Sequence, residues 1–186
     1  MRKERKDIKM KEMTHKAGRA AFGKAIDVAM RNADKDWETE VSRLMDLMQN
    51  YMSGEKLDVD YDKAREMICN KEGTLNRYIR RILAEVDPHV LRTTALNLGF
   101  EAFFHGTKTI RKMREVHQCN VPWLILMDPT SACNLHCTGC WAAEYGGRLN
   151  LTFEEMDHLI SQGKELGIYF YMFTGGEPLV RRSDII

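Results

Sequence analysis

Leu75, Tyr78, Ile79, Ile82, Leu83 and Val86 recur at intervals of three and four, the spacing that lays one apolar stripe along a helix. A second stripe runs through Val41, Leu44, Met45, Met48, Tyr51 and Met52, and Ser53-Gly54 behind it reads as a stop signal. Similar patterning predicts helices over residues 17–31, 60–69 and 89–117. Asp87-Pro88 predicts a break, because proline lacks a backbone donor and turns its predecessor away from helical angles. The Met-rich stripes read as core packing, so residues 1–117 are expected to form a helical region, a small bundle or cap.

After Asn120 the pattern changes. Residues 123–127, WLILM, form a short continuous apolar run of the kind a parallel strand covered on both faces needs, and Asp128-Pro129 is read as its end. Thr152 with Glu155 three residues on predicts a capped helix whose buried side is Phe153, Met156, Leu159 and Ile160 and whose stop is Gly167. A second strand is expected at residues 168–173, followed by Thr174-Gly175-Gly176-Glu177-Pro178, with Ser183-Asp184 capping a further helix. Strand, loop, helix, strand is a parallel βα pattern, so the fold class is α/β and residues 118–186 form a second domain. Loops at the carboxyl ends of such strands are where open α/β sheets and βα barrels place their chemistry. Two strands with one crossover leave edges unpaired, which predicts an incomplete catalytic domain belonging to a longer protein.

Composition narrows the class. The 186 residues are 44% apolar and 30% charged with a formal charge of +1, which describes a globular chain and gives no global reason to expect nucleic acid as partner. Seven Lys or Arg stand in the first sixteen residues, interrupted by Glu4, Asp7 and Glu12, and read as a solvated, frayed terminus. No apolar segment approaches the ~20 residues of a membrane helix, and no signal peptide opens the chain. A cytoplasmic protein with no membrane partner is the expectation. His15, His89, His105 and His117 lack metal-ligand spacing, and the isolated Cys69 and Cys119 read as buried or inert thiols.

The remaining three cysteines, Cys133, Cys137 and Cys140, fall within SACNLHCTGCW. A structural zinc knot would require a fourth ligand, His136 or a distant residue, yet His136 sits awkwardly between two of the cysteines and no second Cys/His pair follows. An electron-transfer cluster wants a fourth cysteine, and Cys119 could serve only by reaching around a strand of roughly 17 Å. The third possibility is an iron-sulfur cube held by three thiolates with one iron open to a substrate. Paired glycines after the next strand let backbone approach a ligand closely, and Glu177 adds a carboxylate suited to an ammonium group.

C-x3-C-x2-C after one strand and GGEP after the next resembles the radical S-adenosylmethionine (radical SAM) superfamily, strongly over residues 121–186 and weakly before them. The run DPTSACNLHCTGCWAAEYG looks like members with an uncharacterised or peptide-modifying role. The resemblance implies that the chain begins a partial (β/α)6 TIM-like barrel. It implies that Cys133, Cys137 and Cys140 hold a [4Fe-4S] cluster, with S-adenosyl-L-methionine on the fourth iron. Gly175, Gly176 and Glu177 would then receive the methionyl ammonium, and Pro178 would stiffen the loop exit. It further implies reductive cleavage to a 5′-deoxyadenosyl radical, which abstracts hydrogen from a peptide or small-molecule substrate, and reduced flavodoxin or ferredoxin as electron donor. Catalytic side chains beyond the cluster ligands are not implied. One departure stands out: many members carry an aromatic residue before the third cysteine, where this chain has Gly139, with Trp141 after it. Tyr145 and Arg148 are secondary candidates for contact with adenosine or substrate, and Asp128 for orienting the loop. The chain by itself is expected to bind a cluster poorly and to turn nothing over. The competing class is a non-catalytic zinc- or iron-sulfur-binding interaction module on a helical scaffold.

Overall fold

A computed structural model describes residues 2–32, 37–52, 60–140 and 145–186, with side chains from Met13 onward. Ser53-Gly54 and Trp141 lie outside the described residues. The chain divides into two compact units, Met1–Lys108 and Thr109–Ile186, a boundary that falls inside a helix.

The first unit is helical. Helix α1 (Arg2–Arg31) includes the segment read as frayed, which is rich in Lys, Glu, Arg and Met and contains no proline, so helical propensity carries it to Arg2. Helix α2 (Trp37–Tyr51) buries Val41 and Met45 of the second stripe, with Trp37 beside them, against Ile68 of α3 (Tyr61–Cys69) and Ile79 and Leu83 of α4 (Thr74–Glu85). The stripe on α4 is only half used: Leu75 and Tyr78 are exposed, whereas Asn76 is buried and donates to the carbonyl of Ile68 at 2.8 Å. A second core joins Phe22 and Ile26 of α1 to Leu96 and Phe100.

The expected helix over residues 89–117 is three segments: α5 (Pro88–Thr94), a π-helical stretch (Ala95–Gly106) and α6 (Thr107–His117). Wide winding frees carbonyls from their usual partners, and Arg19 takes one of them, donating to Leu96 O at 3.2 Å. The same guanidinium pairs with Glu101 at 2.6 Å, which also holds His15 at 2.8 Å. His15 and His105, distant in sequence, lie with ring centroids 4.1 Å apart, and Tyr51 Oη is 3.1 Å from His105 Nδ1. Burial, then the neighbouring His15 and Lys108, lower the His105 pKa against the opposing pull of Glu101.

The second unit pairs two parallel strands, β1 (Leu124–Thr130) and β2 (Phe170–Gly175), joined through α7 (Phe153–Glu165). The capping box of α7 is present, with Thr152 Oγ1 accepting from Glu155 N–H and Glu155 Oε2 accepting from Thr152 N–H. Of its expected buried side Met156 is buried, but Phe153 and Leu159 are exposed. Buried Gly163 makes room for Tyr171, whose hydroxyl donates to Ile160 O at 3.1 Å. One sheet face packs Ile125 and Tyr171 onto Ile110, Val121 and Ile168, a burial that stabilises by roughly 1.5–3 kcal/mol per large side chain. The other face leaves Leu126 and Met172 60% and 45% exposed, so among the described residues the sheet is covered on one side rather than two. Strand β1 also runs through Asp128-Pro129 instead of ending there, with the register shifting between Met127 and Thr130. Beyond β2, a 3₁₀ turn (Pro178–Arg181) leads into α8 (Arg182–Ile185), in which Asp184 lies in the first turn instead of capping. Among the described residues no helix is long and apolar enough to cross a membrane.

Candidate metal centre

The cysteine loop is closed at its base by backbone pairing. Leu151 N–H donates to Pro129 O at 3.0 Å and Ser131 N–H to Leu149 O at 2.8 Å, so the chain returns antiparallel to the end of β1. Thr130, 1% exposed, donates its hydroxyl to Asn150 Oδ1 at 2.5 Å and accepts from Ala132 N–H at 2.9 Å. On the other side Gly176 N–H donates to Thr130 O, and Glu177 N–H to Ala132 O, both at 2.9 Å. The glycine loop after β2 is thereby stitched to the first residues of the cysteine loop.

This stitching explains the two glycines. A Cβ on Gly176 would fall 2.1 Å from Ala132 O. Gly175 has φ +99°, a region L side chains rarely adopt, and a Cβ there would approach the Asp128 Cβ to 3.0 Å. Asp128 therefore sits beside the glycine loop. Gly139 has φ +73° in the turn closed by Cys140 N–H on Cys137 O, so an aromatic residue at this position would be strained.

Cys133, Cys137 and Cys140 all line one cavity of about 430 Å³ with His136, Gly175 and Gly176, and Gly146-Gly147 complete its wall. Cys133 and Cys137 are exposed, Cys140 is partly buried, and all three are free thiols. Leu135 N–H lies 3.4 Å from Cys133 Sγ, a backbone donor aimed at a candidate ligand sulfur. Among the described residues no three His, Cys, Asp or Glu side chains are grouped to hold a single ion, so the thiols share a volume without converging on one point. The donor set, three soft thiolates around a space bounded by backbone, suits an iron-sulfur group with one thiolate to each of several irons.

A family model for the radical SAM superfamily matches residues 127–185, the segment holding both loops. Residues 127–185 are thus similar to the radical SAM superfamily. A curated GTP 3′,8-cyclase from Syntrophomonas wolfei subsp. wolfei is 37% identical over 75 residues, which take in 38% of this chain and 23% of the cyclase. The match thus spans less than a quarter of that relative's length. No solved structure matches the chain significantly.

Not every candidate residue borders this cavity. Glu177 and Pro178 do not line the cavity: Glu177 Oε1 accepts from Leu179 N–H at 2.9 Å and caps the 3₁₀ turn that Pro178 begins. Tyr145 and Arg148 are exposed and also stand outside the cavity lining. Cys119 is exposed rather than buried, while the Cys69 thiol lies 3.9 Å from Glu38 O. Gly146-Gly147 was legible as a glycine pair but carried no ligand signal. Thr130, Asn150 and Arg181 had none, because their side chains find partners that only the fold brings together.

Proposed function

We propose that this chain carries the radical-generating segment of a radical SAM enzyme, built on the opening strands of a (β/α) barrel. The single observation behind this reading is that the three cysteine thiols and Gly175-Gly176 face one cavity from consecutive parallel strands. Cys133, Cys137 and Cys140 would hold a [4Fe-4S] cluster, and the backbone of Gly175 and Gly176 would border S-adenosylmethionine. When bound, that pair supplies one-electron cleavage of a carbon-sulfur bond, giving methionine and a 5′-deoxyadenosyl radical for hydrogen abstraction.

The chain's own residues then act as scaffold. The seam from Thr130 and Ala132 to Gly176 and Glu177 fixes the distance between the two loops, and Glu177 holds the exit of the second through Leu179 N–H. The exposed Leu126 and Met172 present an apolar sheet face suited to the interior of such a barrel. Since Cys133 and Cys137 are open to solvent, partial iron loading and no turnover are expected from this chain alone.

Reduced flavodoxin or ferredoxin as electron donor, a cytoplasmic setting and a peptide or small-molecule substrate complete the proposal. Similarity over 23% of the cyclase supports shared radical chemistry and leaves its nucleotide to the cyclase. Anaerobic purification with iron, sulfide and zinc analysis tests the reading. Iron with acid-labile sulfide is the expected result, and stoichiometric zinc with neither would overturn it in favour of a zinc-binding interaction module.

A further inference from the structure

Arg181 is 19% exposed and stands at the end of the 3₁₀ turn that follows the glycine loop. Its Nη1 donates to Pro129 O at 2.9 Å and also to Leu151 O. Pro129 immediately precedes the cysteine loop's base and Leu151 lies just beyond its return, and these two residues already pair through Leu151 N–H. One guanidinium thus binds both legs of the loop's neck. Nε and Nη2 both donate to Asp184 Oδ2, at 2.8 and 2.6 Å, which fixes the plane of the fork.

We infer that Arg181 is a positioning residue that locks the glycine loop to the neck of the cysteine loop. The inference rests on the radical SAM reading for its functional meaning. The seam joins the loops on the cavity side, at Thr130, Ala132, Gly176 and Glu177. Arg181 joins them a second time, through the turn that the glycine loop enters. Two attachments resist rotation where one would act as a hinge, so Gly175-Gly176 and the thiols keep one relative orientation. Proline at residue 129 suits this role: it has no N–H to pair, and its carbonyl accepts from both Leu151 and Arg181.

Lysine cannot replace this fork, since a single ammonium cannot span two carbonyls and a carboxylate in the same plane. Amide hydrogen exchange on the cluster-free chain reads the inference directly. In Arg181→Ala the amides of Leu151, Gly176 and Glu177 are expected to exchange about tenfold faster while α7 is unchanged. Arg181→Lys should give little rescue, and Asp184→Asn the same pattern at smaller amplitude. Unaltered exchange at those amides, or equal acceleration throughout α7, would overturn the assignment.

A second arm uses the iron-loaded chain and titrates S-adenosylmethionine against the electron paramagnetic resonance signal of the reduced cluster. Arg181→Ala should keep its iron yet require about tenfold more cosubstrate for the same spectral change, since orientation and not ligand number is altered. An identical titration would refute the positioning role. Iron and sulfide missing from the unsubstituted chain would instead sink the radical SAM reading, with the exchange experiment still deciding whether Arg181 holds the neck.

Discussion

Glu177 donates its main-chain N–H to the carbonyl of Ala132 at 2.9 Å, which places the residue after the paired glycines one bond away from the residue before Cys133. Sheet pairing therefore continues past the formal end of both strands and carries the two loops with it. The cavity depends on this close backbone approach, and so do most of the expected effects of substitution.

Gly176→Ala should be the most damaging single methyl in the second unit. The new Cβ would meet the Ala132 carbonyl at 2.1 Å, and backbone cannot move aside as a flexible side chain would. A loss of about 1–3 kcal/mol is expected, with iron uptake reduced further than stability. Thermal melting of the cluster-free chain and iron analysis after reconstitution check both parts.

Replacing Cys133, Cys137 or Cys140 with alanine should bring bound iron to background in each case, because all three thiols face the same cavity. Cys69→Ala and Cys119→Ala should leave iron unchanged, as neither residue lines that cavity. Iron and sulfide determination with visible absorption distinguishes the two groups.

Thr130→Val should destabilise the neck without touching a thiol. The substitution leaves Ala132 N–H and Asn150 Oδ1 without their hydroxyl partner at a site that is 1% exposed. The expected cost is about 1–3 kcal/mol, measured by urea denaturation.

Gly163→Ala should clash with Tyr171, whose hydroxyl would lie 2.1 Å from the added Cβ. A cost of about 1–3 kcal/mol is expected. Tyr171→Phe in the same chain should recover part of it, giving a non-zero coupling in a double-mutant cycle.

The helical unit should lose stability on mild acidification. His105 has a folded pKa below its ordinary 6.5, mainly through burial and the adjacent His15. The unfolded chain then takes up the proton first, so the stabilisation is present above pH ~6.5 and is lost as pH falls through the folded value. Urea midpoints followed by helical circular dichroism between about pH 5 and 8 should fall with pH, and His105→Phe should flatten the slope.

Much of this organisation was legible in residue order. The capping box at Thr152, the break at Pro88 and the three-cysteine motif are local signals, written within four to eight neighbouring residues. The half-exposed stripe on α4 was not legible, because its periodicity records an apolar face but not which part meets a partner. Local propensity likewise argued for ending β1 at Asp128-Pro129, but tertiary pairing on either side of Pro129 carried the strand to Thr130. His15 and His105 showed no ligand spacing, yet the packing of α1 against the π-helical stretch brings their rings together. The radical SAM signature pointed to Glu177 as a cosubstrate contact, and residue order carried no sign that its Oε1 also accepts from Leu179 N–H in its own loop.

The base of the cysteine loop is held mainly by carbonyls, amides and the short side chains of Thr130, Ser131 and Asn150. Asn134, Leu135 and Thr138, which separate the cysteines, are all exposed and take no part in that base. The loop's attachment is thus uncoupled from part of its sequence: Asn134 and Thr138 can be exchanged while the strand ends that carry them stay as they are.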